Sequence, residues 1–168
     1  LLDDHVDLAL RIGELPDSGL VAIKVGVIRR VVCGSPAYFD AQGMPKTPAA
    51  LAAHRCITFE GLMAPDGWSF VVGRTDRSVA IRSRLVVNTA EAAVDAAIAG
   101  LGVTRVLSYQ IAQARRAGLL DIVLEQFEPA PSPVSLVYAA QGLLPLKLRA
   151  FLDFAAPRLK TAMTQSAQ

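Results

Sequence analysis

The chain has 168 residues, of which 52% are hydrophobic and 19% charged, and its formal net charge is +2. That composition describes a soluble globular chain with enough apolar mass for one ordinary core or two small lobes. It shows no nucleic-acid surface, since Arg29-Arg30 and Arg115-Arg116 are isolated pairs, and no apolar stretch near the ~20 residues that cross a bilayer.

The opening residues Leu1-Leu2-Asp3-Asp4 read as the middle of an element, and no charged-then-apolar leader precedes them. In VDLALRI, Val6, Leu8, Leu10 and Ile12 alternate with Asp7, Ala9 and Arg11, the period-two pattern of a strand that Gly13 ends. Turn residues over 14–19 lead into two extended pieces between Leu20 and Gly34. Ser35-Pro36 is a strong helix start: serine supplies a cap oxygen, proline tolerates the first helical position, and Gly43 closes the helix. Thr47-Pro48 repeats the device for 49–53. Arg55 to Phe59 (RCITF) is a further strand. A loop through Pro65, Asp66 and Gly67 follows, then a hairpin of 68–72 and 78–82 with its turn at 73–77, an excursion at the sheet edge.

The chain is organised around Leu85 to Ser108. Leu85, Val86 and Val87 are strand formers, Asn88 is suited to cap a helix, and Glu91 stands at capping-box spacing from it. Val94, Ala97, Ile98 and Leu101 form an apolar face opposite Glu91 and Asp95. Gly100 and Gly102 stop the helix and admit close backbone approach before a second strand, Val103 to Leu107. Such a βαβ unit needs parallel strands. It leaves the free N–H groups of its helix start, at Asn88 and Thr89, at the carboxyl edge of the sheet, where an anion or carbonyl oxygen is favoured. The alternative is an ordinary αβ core piece without a ligand.

Downstream, Ser108 caps a helix that stops at Gly118, 119–124 is a short strand, and Pro129, Pro131 and Pro133 make a stiff connector. Residues 134–140 are extended, and Pro145 opens a final helix whose stripe Leu148, Phe151, Leu152, Ala155 and Leu159 must pack on something. Residues 161–168 lack a pattern and are expected to fray. Strands alternating with helices define an α/β class, and the extended passages at 27–33 and 135–140 read as two crossings between lobes.

Catalytic signatures are absent. The residues around Ser35, Cys33-Gly34-Ser35-Pro36-Ala37, miss both glycines of a nucleophile elbow. His5 and His54 lie far apart, with no ligand-type residue one helical turn away, and His54 reads as a short-helix end facing water. Gly100-Leu101-Gly102 follows a helix instead of opening one, against a dinucleotide site. Cys33 and Cys56 lie inside apolar runs and read as buried thiols of a reducing compartment. No enzyme, cofactor or metal is expected. A ligand cleft fits better: the helix starts at Ser35 and Asn88 and the strand ends at Ile12-Gly13 and Thr58-Phe59 are expected to open into one crevice between lobes. Phe59 and Trp68 read more readily as core than as ligand platforms, and Arg11 as a surface or salt-bridge residue.

Taken together, VDLALRIGELPDSGL, RRVVCGSPAYFDAQGMPKTPAALAAHRCITF, VVNTAEAAVDAAIAGLGVTRVLS and LPLKLRAFLDF resemble the effector-binding domain of LysR-type transcriptional regulators, over Val6 to Leu159. The resemblance implies an α/β, periplasmic-binding-protein-like fold of two subdomains joined by two crossover strands, with a small effector between them. It assigns 31–135 to the second subdomain, 1–30 and 136–160 to parts of an incomplete first subdomain, and 161–168 to a tail. It implies effector contacts at Ile12, Gly13, Ser35, Thr58, Phe59, Asn88, Thr89 and Thr104. Small carboxylates are the first ligand class to consider, because helix starts favour anions. The winged helix-turn-helix and linker helix of the family are absent, so DNA is reached only through that missing part, and no membrane partner is expected. The missing first-subdomain portion predicts exposed apolar surface, self-association or residual disorder in that lobe, and a homo-oligomer is expected. The resemblance further implies a cytoplasmic protein that regulates transcription. The alternatives are a solute-binding protein of a transport system and an enzyme on the same scaffold.

Overall fold

A computed structural model describes residues 6–15, 19–59, 67–139 and 144–166. In chain order its elements are β1 (Ala9–Ile12), β2 (Leu20–Ile28), β3 (Arg30–Gly34), α1 (Pro36–Gln42), β4 (Cys56–Phe59), β5 (Gly67–Val72), β6 (Thr75–Ala80) and β7 (Ser83–Val87). There follow α2 (Ala90–Ile98), β8 (Val103–Leu107), α3 (Ser108–Arg116), β9 (Asp121–Val123), β10 (Ser132–Ala139) and α4 (Leu146–Ser166). Short 3-10 helices occupy Pro48–Ala53 and Glu125–Phe127. The chain forms two units, Leu1–Ile28 with Pro131–Gln168, and Arg29–Ala130. The opening residues, the centre of the turn at 16–18 and the loop through Pro65 and Asp66 lie outside the described residues.

In the Arg29–Ala130 unit a five-stranded sheet runs in the order β7-β4-β8-β3-β9. The βαβ unit forms as its pattern requires: β7 and β8 flank β4 and both run parallel to it, with α2 making the crossover. Ala93 and Ala97 of α2 are fully buried, and Val94 joins them against Val31, Ile57 and Val106. Leu101 does not complete the stripe and is 51% exposed. The helix ends at Ile98, and Gly100, at φ +78°, turns the chain away first. Gly102 then lies so close to Arg55 that a Cβ would meet its carbonyl oxygen, while Val103 N–H donates to that oxygen at 2.9 Å. The opposite face of the sheet carries Val32, Phe39, Leu51, Cys56, Trp68 and Phe70. Phe39 comes from α1, whereas Trp68 and Phe70 come from the β5–β6 hairpin, which is a two-stranded sheet of its own instead of an extension of the main edge. Its turn is also tighter than the pattern suggested, since Val72 pairs with Thr75 and only Gly73 and Arg74 intervene.

Cys33 and Cys56 are both 0% exposed, and burial pushes their thiols up to about 12 and about 11 from an ordinary value of 9.0. Between about pH 9 and 12 the unfolded chain ionises these thiols while the native chain resists, so their contribution to stability holds below that window and is lost as pH rises through it. At pH 7.5 we expect iodoacetamide to label neither cysteine in the native protein and both in denaturant, as read by mass spectrometry.

In the other unit, β1, β10 and β2 form a three-stranded antiparallel sheet in that order. Pro133 is therefore part of a strand and not of a connector; its carbonyl accepts from Gly13 N–H at 2.9 Å, and the register slips between Val134 and Ser135. The helix α4 packs on β2, where Gly26 makes room for Met163: a Cβ there would lie 2.6 Å from that side chain. Leu148, Leu152 and Ala155 of the stripe are buried, whereas Phe151 is 51% exposed. The helix continues to Ser166 instead of fraying after Lys160. Leu10 and Ile12 on β1 are 50% and 42% exposed, the uncovered apolar surface expected of this strand.

Candidate functional site

Strand polarity decides which residues share an edge. Phe59 of β4 is paired with Val87 of β7, so Phe59, Asn88 and Thr89 meet at the carboxyl edge of the parallel strands. The cap of α2 is Thr89, not Asn88: Thr89 is extended (φ −134°, ψ 155°) and its Oγ1 accepts from Ala92 N–H at 3.1 Å. The capping box read from Asn88 and Glu91 is thus replaced by a cap one residue later. Asn88 is exposed, and its amide is not engaged in capping. The amides of Ala90 and Glu91 precede the first intrahelical bond and carry the positive end of the helix dipole. Phe59 is half-buried against the α2 side of the core.

The remaining expected residues are placed differently. Ser35 caps α1 as its pattern requires, its Oγ accepting from Tyr38 N–H at 3.3 Å. It does not share the carboxyl edge. The strand before it, β3, runs antiparallel to β8, with Arg30 opposite Leu107 and Cys33 opposite Thr104. Its carboxyl end therefore falls at the amino edge of β4 and β8, and a Cβ on Gly100 would lie 3.6 Å from Ser35 Oγ. Thr104 is fully buried and donates to Ile57 C=O at 3.1 Å, a sheet-internal contact. Thr58 Oγ1 lies 2.8 Å from Ser83 Oγ, which itself donates to Leu85 C=O at 2.8 Å, so this hydroxyl is tied into the β4–β7 pair. Ile12 and Gly13 belong to the other unit; Ile12 is exposed, and Gly13 (φ +109°) has its N–H engaged by Pro133.

Two local expectations elsewhere are also corrected. His54 does not simply face water: its Nδ1 lies 3.2 Å from Tyr38 Oη, which accepts from Arg55 N–H at 3.0 Å, and partial burial lowers its pKa. Ser108 is the first residue of α3 and not its cap; the cap position is Leu107, whose N–H donates to Gln110 Oε1 at 2.8 Å.

Sequence reasoning passed over a cluster of charges at the same carboxyl edge. Arg105 of β8 is 4% exposed, with its guanidinium 5.2 Å from the Phe70 ring centroid. Burial, then Arg30, lowers its pKa to about 10, while Glu128 opposes the change. Burial raises the Glu128 pKa, with Arg29 and Arg105 pulling it back. The signal was an arginine inside the otherwise apolar run VTRVL.

This arrangement is that of a ligand-binding α/β regulatory domain, and the chain belongs to the LysR family. It matches the family described as LysR substrate binding domain over residues 1–160. It is 30% identical over 162 residues to the uncharacterized HTH-type transcriptional regulator YhjC of Escherichia coli K12, covering 95% of this chain and 54% of that protein. It is likewise 30% identical over 173 residues to the probable HTH-type transcriptional regulator LtrA of Klebsiella pneumoniae, covering 99% of this chain and 56% of that one. The chain thus spans about half the length of the curated relatives it matches. Among solved structures, the regulatory domain of CrgA, a LysR-type transcriptional regulator from Neisseria meningitidis, superposes with a TM-score of 0.78 at 29% identity, covering 95% of this chain and 78% of that one. The regulatory domain of AphB from Vibrio vulnificus gives 0.77 at 26% identity, covering 88% and 73%. The fold is the periplasmic-binding-protein-like, two-subdomain fold of these regulatory domains. Among the described residues no helix is long and apolar enough to cross a membrane.

Proposed function

We propose that this chain is the effector-sensing module of a cytoplasmic LysR-type transcriptional regulator, and that it holds a small carboxylate at the carboxyl edge of the β7-β4-β8 strands. The carboxylate accepts from Asn88 and from the Ala90 and Glu91 amides, with Phe59 as its apolar flank. One observation carries this reading: Thr89 takes over the capping of α2, leaving an exposed asparagine at the positive end of a helix beside a half-buried aromatic. The module performs no catalysis. It acts by population shift, because the effector binds one conformational state of the regulator better than the other. DNA contact belongs to a winged helix-turn-helix outside this chain, and the regulator works as a homo-oligomer. The named relatives are HTH-type regulators, which leaves the transport alternative without support.

Calorimetry on the full-length regulator with small aliphatic and aromatic carboxylates and their carboxamides tests this. Acids are expected to bind at least about tenfold more tightly than the amides, and Asn88→Ala to weaken acid binding by about tenfold. Ser35→Ala serves as the control: it is expected to cost about 1 kcal/mol of stability as a lost cap while leaving affinity unchanged, since Ser35 stands at the other edge. Equal binding of acids and amides, or full affinity in Asn88→Ala, overturns the reading.

A further inference from the structure

The chain passes from one unit to the other at Ile28–Arg29 and returns at Ala130–Pro131. Both crossings leave the Arg29–Ala130 unit from one edge. Arg30 begins β3 opposite Leu107, and β9, antiparallel to β3, ends at Val123 and delivers the chain back toward that same end. Arg29 joins them. Its N–H donates to Ser108 Oγ at 3.3 Å and its C=O accepts from Ser108 N–H at 2.9 Å, which fixes its backbone to the start of α3. Its Nη1 lies 3.2 Å from Glu125 Oε1 and 3.2 Å from Glu128 Oε2, both on the segment that leads out. The Glu128 side chain is only 9% exposed and feels Arg105 from β8 as well.

We propose that Arg29 is the pin of an ionic latch that holds the outgoing segment 125–130 against the point where the chain enters the unit, so that the two crossings are held as one. Ser108 fixes the pin and Glu128 is its main catch. Glu125, at 51% side-chain exposure, adds a weaker, salt-sensitive hold. Burial raises the Glu128 pKa, and Arg29 itself, then Arg105, favour its charged form. Arg29 is a positioning residue, and the latch stands whether or not the β7-β4-β8 edge binds an effector.

Hydrogen–deuterium exchange on the full-length regulator tests the latch. Arg29→Met keeps the apolar stem and removes the fork. It is expected to raise exchange of the amides over 125–130 by about tenfold while leaving Ile57, Val103 and Val106 within about twofold of wild type. Arg29→Lys, with a point charge in place of the fork, is expected to fall between. In the unsubstituted protein, raising ionic strength is expected to speed exchange over 125–130 selectively, a response that Arg29→Met abolishes and that a merely structural arginine would not show. Uniform acceleration across the unit, or an outgoing segment indifferent to both substitution and salt, overturns the proposal.

Discussion

Gly102→Ala is expected to destabilise the protein by about 2–3 kcal/mol, because the new methyl group would run into a backbone carbonyl that cannot rotate aside. That carbonyl belongs to Arg55, which also accepts the hydrogen bond from Val103 N–H at 2.9 Å that starts the β4–β8 pairing. The substitution therefore strikes the join between the two central parallel strands. Urea unfolding followed by far-UV circular dichroism should show a lower midpoint at unchanged slope. Gly100→Ala offers a contrast, since its cost is conformational strain at φ +78°. Wild-type stability in Gly102→Ala would mean that the strands are spaced differently from the arrangement described.

Trp68→Ala is expected to cost about 3–5 kcal/mol, the range for removing a large aromatic from a packed interior. Trp68 is 2% exposed and shares its cluster with Phe70, Leu51 and Val103. It is the chain's single tryptophan, so blue-shifted emission in the native state that moves to the red on unfolding reports its burial directly. Trp68→Phe should retain most of the stability, whereas polar changes at the exposed Ser69 should stay within about 0.5 kcal/mol of wild type. A Trp68→Ala variant that unfolds like wild type but loses effector affinity would instead make this residue a ligand platform.

Local chemistry was the readable part of this chain. Ser35-Pro36 starts a helix, Val103 to Leu107 is a strand, and Cys33 and Cys56 are buried, because each depends on a few neighbouring residues. Direction was not readable. Nothing in RVVCG says that β3 runs against β8, yet that single reversal carries Ser35 to the far edge and separates it from Asn88. The cap illustrates a finer limit: Asn88 and Thr89 are both good capping residues, and only the observed backbone places the helix start at Thr89. Hydroxyls were the hardest to place. Thr58 and Thr104 suit a ligand site by type, but Ser83 and the Ile57 carbonyl engage them within the sheet. Arg105 was legible in principle, since a charge in a fully buried strand requires partners, and those partners lie more than twenty residues away on β5 and beyond β9.

Among the described residues, β1 is paired with β10 alone, within its three-stranded sheet. Leu10 and Ile12 on this strand are half-exposed, and Arg11 is the sole charge in Ala9–Ile12. A strand with so little charge is a place where a further strand pairs, whether that strand belongs to the rest of the regulator or to a second copy. A lysine introduced at Leu10 is the simplest guard against such pairing between copies.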